Sequence, residues 1–247
     1  MGPAIEADGL SVAVRMPDLA TWSLKEFVVH GLRRRISHHE FWPLRDVTVS
    51  IEPGELMGVI GRNGAGKTTL MRAVSGIIPP TEGRVRVRGR VTPVLGLGAG
   101  FHTDLTGREN IELLGALLGR SPRELRARAG AIAEWAELTD YLDSPLRVYS
   151  EGMAARLALA VVTDDQPDVL LLDEIFAVGD AEFQQRSRER ILDLLRSGST
   201  VMLVSHDLET IEEWSSRVMW LDAGRVAAIG DPSDIVARYS EAATPAR

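Results

Sequence analysis

The reading of the fold turns on Leu56-Met-Gly-Val-Ile60 followed by Gly61-Arg-Asn63-Gly64-Ala65-Gly66-Lys67-Thr68-Thr69. A short apolar run closed by a glycine reads as a buried parallel strand. A helix is expected to start near Lys67 and to end by Gly76 and Pro79-Pro80. The loop between them matches G-x-x-x-x-G-K-[ST] in the context that this motif requires, after a strand and opening a helix. Lacking Cβ atoms, Gly61, Gly64 and Gly66 allow the backbone N–H groups of the loop, those of Asn63 and Ala65 included, to curl round a polyphosphate. The helix N-terminus adds partial positive charge. Lys67 is placed to reach the outer phosphates and the Thr68 hydroxyl to ligate Mg2+, with Thr69 completing the phosphate-binding set. A dinucleotide fingerprint has a different spacing, and Gly96-Leu-Gly-Ala-Gly100 opens no obvious helix.

Outward from this stretch, apolar strands at 169–172 and 200–204 alternate with helices at 152–162, 181–196 and 208–214. Strands at 217–221 and 225–229 and a short helix after Asp231-Pro232 complete the chain. Such alternation predicts an α/β domain with a largely parallel sheet. Strands at 7–14 and 47–51 precede it as an antiparallel subdomain. Arg84-Val-Arg-Val-Arg88 alternates with period two and reads as an edge strand with a solvated arginine face. Between residues 104 and 163 the apolar spacing is helical, which marks an insert; Ser121-Pro122 with Glu124 looks like its second helix start. Residues 236–247 are expected to form a tail too short for an additional carbohydrate-binding domain.

The 247 residues are 45% hydrophobic and 26% charged, the proportions of an ordinary globular protein. Without cysteine there is neither a disulfide framework nor a thiolate site. No apolar run reaches 18 residues, and residues 1–10 lack a signal-peptide pattern, so a soluble chain is expected. A net charge of -7 argues against a nucleic-acid partner. Only two lysines occur, Lys25 and Lys67.

Two more strand ends carry chemistry. Asp168-Val-Leu-Leu-Leu-Asp173-Glu174 is an apolar strand ending in two carboxylates. Asp173 would help hold Mg2+, partly through water, and Glu174 would polarise an attacking water. Val201-Met-Leu-Val-Ser205-His206-Asp207 presents His206 at the end of a neighbouring strand, in reach of a γ-phosphate. Ser205, His206 and Asp207 are sequence neighbours and so form no hydrolase triad. His38 and His39 lack further ligands at metal spacing and read as surface residues.

Tyr149-Ser150-Glu151-Gly152-Met153-Ala-Ala-Arg156, taken with the phosphate loop, Asp173-Glu174, Val178-Gly-Asp180 and His206, resembles the ATP-binding subunits of ABC transporters. The resemblance covers about residues 7–235 as a single ATPase domain, with core segments at 7–90 and 164–235. It implies a P-loop fold of ABC type, ATP and Mg2+ as cofactors, and ATP hydrolysis with Glu174 and His206 as catalytic residues. It further implies a head-to-tail dimer of two copies, in which Ser150, Glu151, Gly152 and Met153 close on the partner's ATP and Asp180 marks the D-loop. The Tyr-Ser-x-Gly-Met signature, Ala177-Val-Gly-Asp-Ala-Glu-Phe183 and Leu95-Gly-Leu-Gly-Ala-Gly-Phe101 look like exporters of bacterial lipid-linked polysaccharides: O-antigen, teichoic acid and galactan. A membrane permease partner and a peripheral place on the cytoplasmic face of the membrane follow from that resemblance. ATP-switched dimerisation in a soluble complex, and an exporter of another cargo, are the alternatives.

Two features depart from the family pattern. Residues 91–110 contain no glutamine, so coupling to a permease would use another device, such as the glycine-rich loop at 96–101. The adenine-stacking aromatic usual near the first strand has no obvious counterpart. Met16 falls near its place, and Trp22 or another residue of the 19–42 segment could substitute. That segment, within an insert at 17–43, carries Trp22, Leu24, Phe27, Val28, Leu32 and Ile36 at near-helical spacing, with Lys25, Arg33, Arg34 and Arg35 on other faces. A basic amphipathic helix of this kind suits a membrane surface, a partner helix or packing on its own domain.

Overall fold

The computed structural model describes residues 2–17, 38–95, 100–173 and 180–243. Strands β1 (Ile5–Pro17), β2 (His38–Ile51) and β4 (Glu82–Val87) form a three-stranded antiparallel sheet in the order β2-β1-β4. A six-stranded sheet combines β3 (Leu56–Ile60), β5 (Val91–Leu95), β6 (Val169–Asp173), β7 (Thr200–Val204), β8 (Arg217–Asp222) and β9 (Arg225–Gly230). Its order is β5-β6-β7-β3-β8-β9, parallel throughout except for β9. The helices are α1 (Lys67–Val74), α2 (Gly107–Leu117), α3 (Pro122–Trp135), α4 (Glu151–Thr163), α5 (Ala181–Arg196), α6 (Leu208–Trp214) and α7 (Pro232–Ala243). None of the described helices is long and apolar enough to cross a membrane.

The central strands read as unbroken apolar runs because both of their faces are covered. Leu56, Ile60, Leu170, Leu172, Val201 and Leu203 point into a core shared with α2 to α7. Met57, Val59, Val169, Leu171, Met202 and Val204 point the other way, into a core shared with α1, β1 and β2. Each such burial contributes about 1.5–3 kcal/mol against the entropy of ordering the chain. The parallel sheet is thus clamped between a β layer and a helical layer, and its strand ends cannot drift relative to one another.

The structure departs from the sequence reading at four places. The amphipathic segment was expected to run helically to Trp42, but His38–Ile51 is strand, with Glu40 opposite Arg15 and Phe41 opposite Val14 on β1. Pairing with β1 overrides the helical spacing there; residues 18–37 lie outside the described residues. β5 was not anticipated, because Pro93 within Val91–Leu95 removes a ladder donor. It is accommodated because β5 is an edge strand, paired among the described strands with β6 alone. The expected tail at 236–247 is mostly helix, since α7 runs to Ala243 and buries Ile235 and Val236. Ser121 does occupy the N-cap of α3 with Pro122 in the first turn, but its side chain makes no capping bond. The capping box belongs to α2, where Thr106 accepts from the Glu109 N–H and the Glu109 carboxylate accepts from the Thr106 N–H at 2.8 Å.

Candidate functional site

The phosphate loop begins where β3 ends. Gly66, at the N-cap of α1, has φ 103, and a Cβ there would lie 2.4 Å from the Pro43 carbonyl oxygen. Glycine is required twice over at this point, for its backbone angle and for the approach of β2. Lys67 is buried, with its Nζ donating to the carbonyls of Gly61 at 2.7 Å and Arg62 at 3.3 Å. The ammonium is thereby aimed across its own loop. Asn63, Gly64, Ala65, Gly66, Lys67, Thr68 and Thr69 line one recess together with Phe41 and Pro43.

Sheet order brings the other strand ends to this loop. β7 lies between β3 and β6, and Val204 is in register with Val59 on one side and Asp173 on the other. The C-terminal ends of three adjacent parallel strands therefore carry Gly61, His206 and Asp173 along one edge, the place where open α/β sheets bind ligands. The Thr68 hydroxyl donates to Asp173 Oδ2 at 3.1 Å. A hydroxyl and a carboxylate oxygen so close together form a hard-oxygen pair of the kind that Mg2+ prefers, so the donor set fits the cation. His206 lines a separate recess with Gln184, Arg188, Asp207 and Trp214. Glu174 lies outside the described residues, as do residues 96–99 of the glycine-rich loop.

The signature segment is built differently. Ser150 is the N-cap of α4, its hydroxyl accepting from the Met153 N–H at 3.1 Å, and Glu151, Gly152 and Met153 form the first turn. No residue of 150–153 lines the phosphate-loop recess, so the chain does not bring its own signature to its own loop. Asp180 caps α5, accepting from the Phe183 N–H at 2.9 Å, and pairs with Arg156 at 3.0 Å. Those two bonds, the Phe183 amide first, hold its carboxyl below the usual aspartate range.

Sequence reasoning did not single out Phe41. It stands on β2, 49% exposed, facing the loop from across the recess, and it also lines the adjoining recess with Glu40, Trp42 and Arg45. The period-two alternation of 47–51 does not reach it, because the pattern breaks at Arg45-Asp46, where Asp46 has φ 53 and the register of β2 against β1 shifts.

A sequence profile described as ABC transporter matches residues 44–177. The chain is 39% identical over 221 residues to an O-antigen export system ATP-binding protein of Klebsiella pneumoniae, covering 89% of this chain and 90% of that protein. It is 46% identical to the O-antigen export protein of Myxococcus xanthus over 81% of this chain. It is 40% identical to a teichoic acids export ATP-binding protein of Lactococcus lactis over 82% of this chain. The chain spans less than half the length of these last two relatives, 46% and 43%. Among solved structures, the dimeric ATP-binding cassette MJ0796 bound to ADP and Pi superposes with a TM-score of 0.76 at 20% identity, covering 92% of this chain and 98% of that one. That likeness establishes the fold, and the profile and relatives establish the kinship: the chain belongs to the ABC transporter family, as one of its ATP-binding subunits.

Proposed function

We propose that this chain hydrolyses ATP to power export of a lipid-linked cell-surface polysaccharide across the bacterial cytoplasmic membrane, working as a head-to-tail dimer beneath a permease. The observation that carries the reading is the near end-to-end match to the Klebsiella O-antigen export protein, 89% of one chain against 90% of the other. The geometry of the phosphate loop supports the chemistry. Backbone N–H groups of residues 63–69 and the N-terminus of α1 cradle the phosphates, and Lys67 turns from its carbonyl partners to the outer ones. Thr68 and Asp173 hold Mg2+, which when bound neutralises charge building on the phosphate oxygens. Phe41 stacks on the adenine.

Glu174 takes the proton of the attacking water, and His206 touches the γ-phosphate. Ser150 and the amides of Gly152 and Met153, at the start of α4, complete the anion cradle on the partner's nucleotide. The part of the 17–43 insert that precedes β2 meets the permease or the lipid surface from the cytoplasmic side. General-base assistance is worth about 10²- to 10⁴-fold, so Glu174→Gln is expected to bind ATP normally and to turn over at under a tenth of the wild-type rate. Turnover above a tenth removes Glu174 from that role. Depletion of the protein in its host is expected to accumulate lipid-linked glycans inside the cell. Unchanged glycans would leave an ATPase with a different cargo.

A further inference from the structure

Glu137 directly follows the C-cap of α3 and has φ 60, one of three described non-glycine residues in the left-handed region. Glycine is the usual occupant of this position after a helix. A glutamate that accepts the conformational cost has a use for its carboxylate, and here the carboxylate is shared. Its Oε2 accepts from Arg156 Nη1 at 2.8 Å, and its Oε1 accepts from Arg186 Nη1. Arg156 belongs to α4, six residues beyond Ser150; Arg186 belongs to α5 and also donates to the Trp135 carbonyl at 2.6 Å.

The other end of Arg156 decides what the arrangement can do. Its Nη2 donates to Asp180 Oδ2 at 3.0 Å while its guanidinium lies 4.6 Å over the Phe183 ring. Asp180 in turn caps α5. One guanidinium therefore holds a carboxylate from the end of α3 in one hand and the cap of α5 in the other, with the signature turn at the head of its own helix. Arg156 is only 17% exposed, so its orientation is set by these partners and not by solvent.

We propose that Glu137 is a positioning residue for ATP hydrolysis. It fixes Arg156 so that the signature turn at Ser150 and the cap at Asp180 move as one body toward the partner copy's nucleotide. The inference rests on the head-to-tail dimer of the proposed function.

Glu137→Gly is the informative variant, because glycine tolerates φ 60 and the fold is relieved of strain when the carboxylate is removed. In the full chain, the expected result is undiminished thermal stability, binding of a fluorescent ATP analogue within twofold of wild type, KM little changed and kcat lowered tenfold or more. Glu137→Gln, which keeps the shape and some hydrogen bonding, is expected to lie between. Because the two residues act through one arginine, Glu137→Gly with Asp180→Asn should lose no more turnover than the worse single change. Turnover of Glu137→Gly above half that of wild type overturns the proposal. So does a loss that multiplies with that of Asp180→Asn, or one that tracks a fall in melting temperature. Wild-type turnover strictly linear in protein concentration across the range where monomers would dissociate would refute the dimer itself, and the relay with it. Concentration-dependent wild-type turnover beside a fully active Glu137→Gly refutes the relay alone.

Discussion

Replacing Phe41 with alanine should separate recognition of the base from recognition of the phosphates. Phe41 is 49% exposed and lines the same recess as Asn63 to Thr69, so under the proposed function it offers a surface to the nucleoside of a loop-bound triphosphate. Stacking of a base on an aromatic side chain is worth about 1–3 kcal/mol by alanine substitution. At about 1.4 kcal/mol per tenfold in affinity, that range corresponds to a loss of roughly 5- to 150-fold. About half of the residue is already covered by the fold, which favours the lower part of the range, about tenfold. Because Phe41 is no core residue, the variant should keep its stability to within about 0.5 kcal/mol. Titration calorimetry with ATP and with inorganic tripolyphosphate distinguishes the outcomes: ATP should weaken about tenfold and tripolyphosphate should bind as before. Equal weakening of both ligands would show that the substitution deforms the loop, and unchanged ATP affinity would show that the base lies elsewhere; either result refutes the stacking role.

Three further substitutions test the scaffold. Gly66→Ala puts a methyl against the Pro43 carbonyl, whereas Gly64→Ala, at φ 81, meets nothing within 4 Å. The first should abolish nucleotide binding in the same calorimetric assay; the second, which lines the phosphate recess but displaces no neighbour, should lower stability by about 1–2 kcal/mol, the cost of a left-handed alanine, and weaken nucleotide binding without abolishing it. Asp164, 4% exposed, accepts from Arg120, equally buried, and from half-exposed Arg128. Burial pushes its pKa up, but bonds from Arg128 and Arg120 outweigh this and hold it below the usual aspartate range. Removing one partner of a buried pair costs about 3–5 kcal/mol; since Glu124 still holds Arg120, Asp164→Asn should lose about 3 kcal/mol in urea unfolding at pH 7. A carboxyl depressed in the folded state stabilises above its unfolded pKa of about 3.9. The gap between variant and wild type should therefore persist from neutral pH down to that value and close as the pH falls through the lower folded one. A gap independent of pH would place the loss in packing and not in charge.

Much of the parallel core was legible because its residues obey one rule at a time. Thr200–Val204, Ala181–Arg196 and Leu208–Trp214 fall where periodicity and turn residues put them. The phosphate loop was legible because a contiguous motif encodes it, strand, glycines and helix together. What remained hidden depends on distant parts of the chain. Phe41 gains meaning only when β2 is laid beside a loop more than twenty residues later, and nothing local marks His38 to Trp42 as strand until β1 pairs with them. Pro93 reads as a breaker and is tolerated only because β5 has a single neighbour among the described strands. Glu137 is more hidden still, since a left-handed backbone is normally announced by glycine, and here two arginines from other helices sustain it.

The outer strand of the small sheet bears on how the protein behaves in a crowded cell. β4 presents Arg84 and Arg86, paired across to Asp8 and Glu6 on β1, beside a backbone edge that no described strand covers. An incoming strand of another molecule would have to strip water from that guanidinium row before gaining its first ladder bond. Uncontrolled sheet-to-sheet growth is thereby opposed at this edge. Under the proposed function, in which copies gather in pairs beneath a permease, the protein can then be locally concentrated without seeding fibres or amorphous aggregate. Replacing those arginines with valine or threonine is the change most expected to turn a well-behaved preparation into a precipitate.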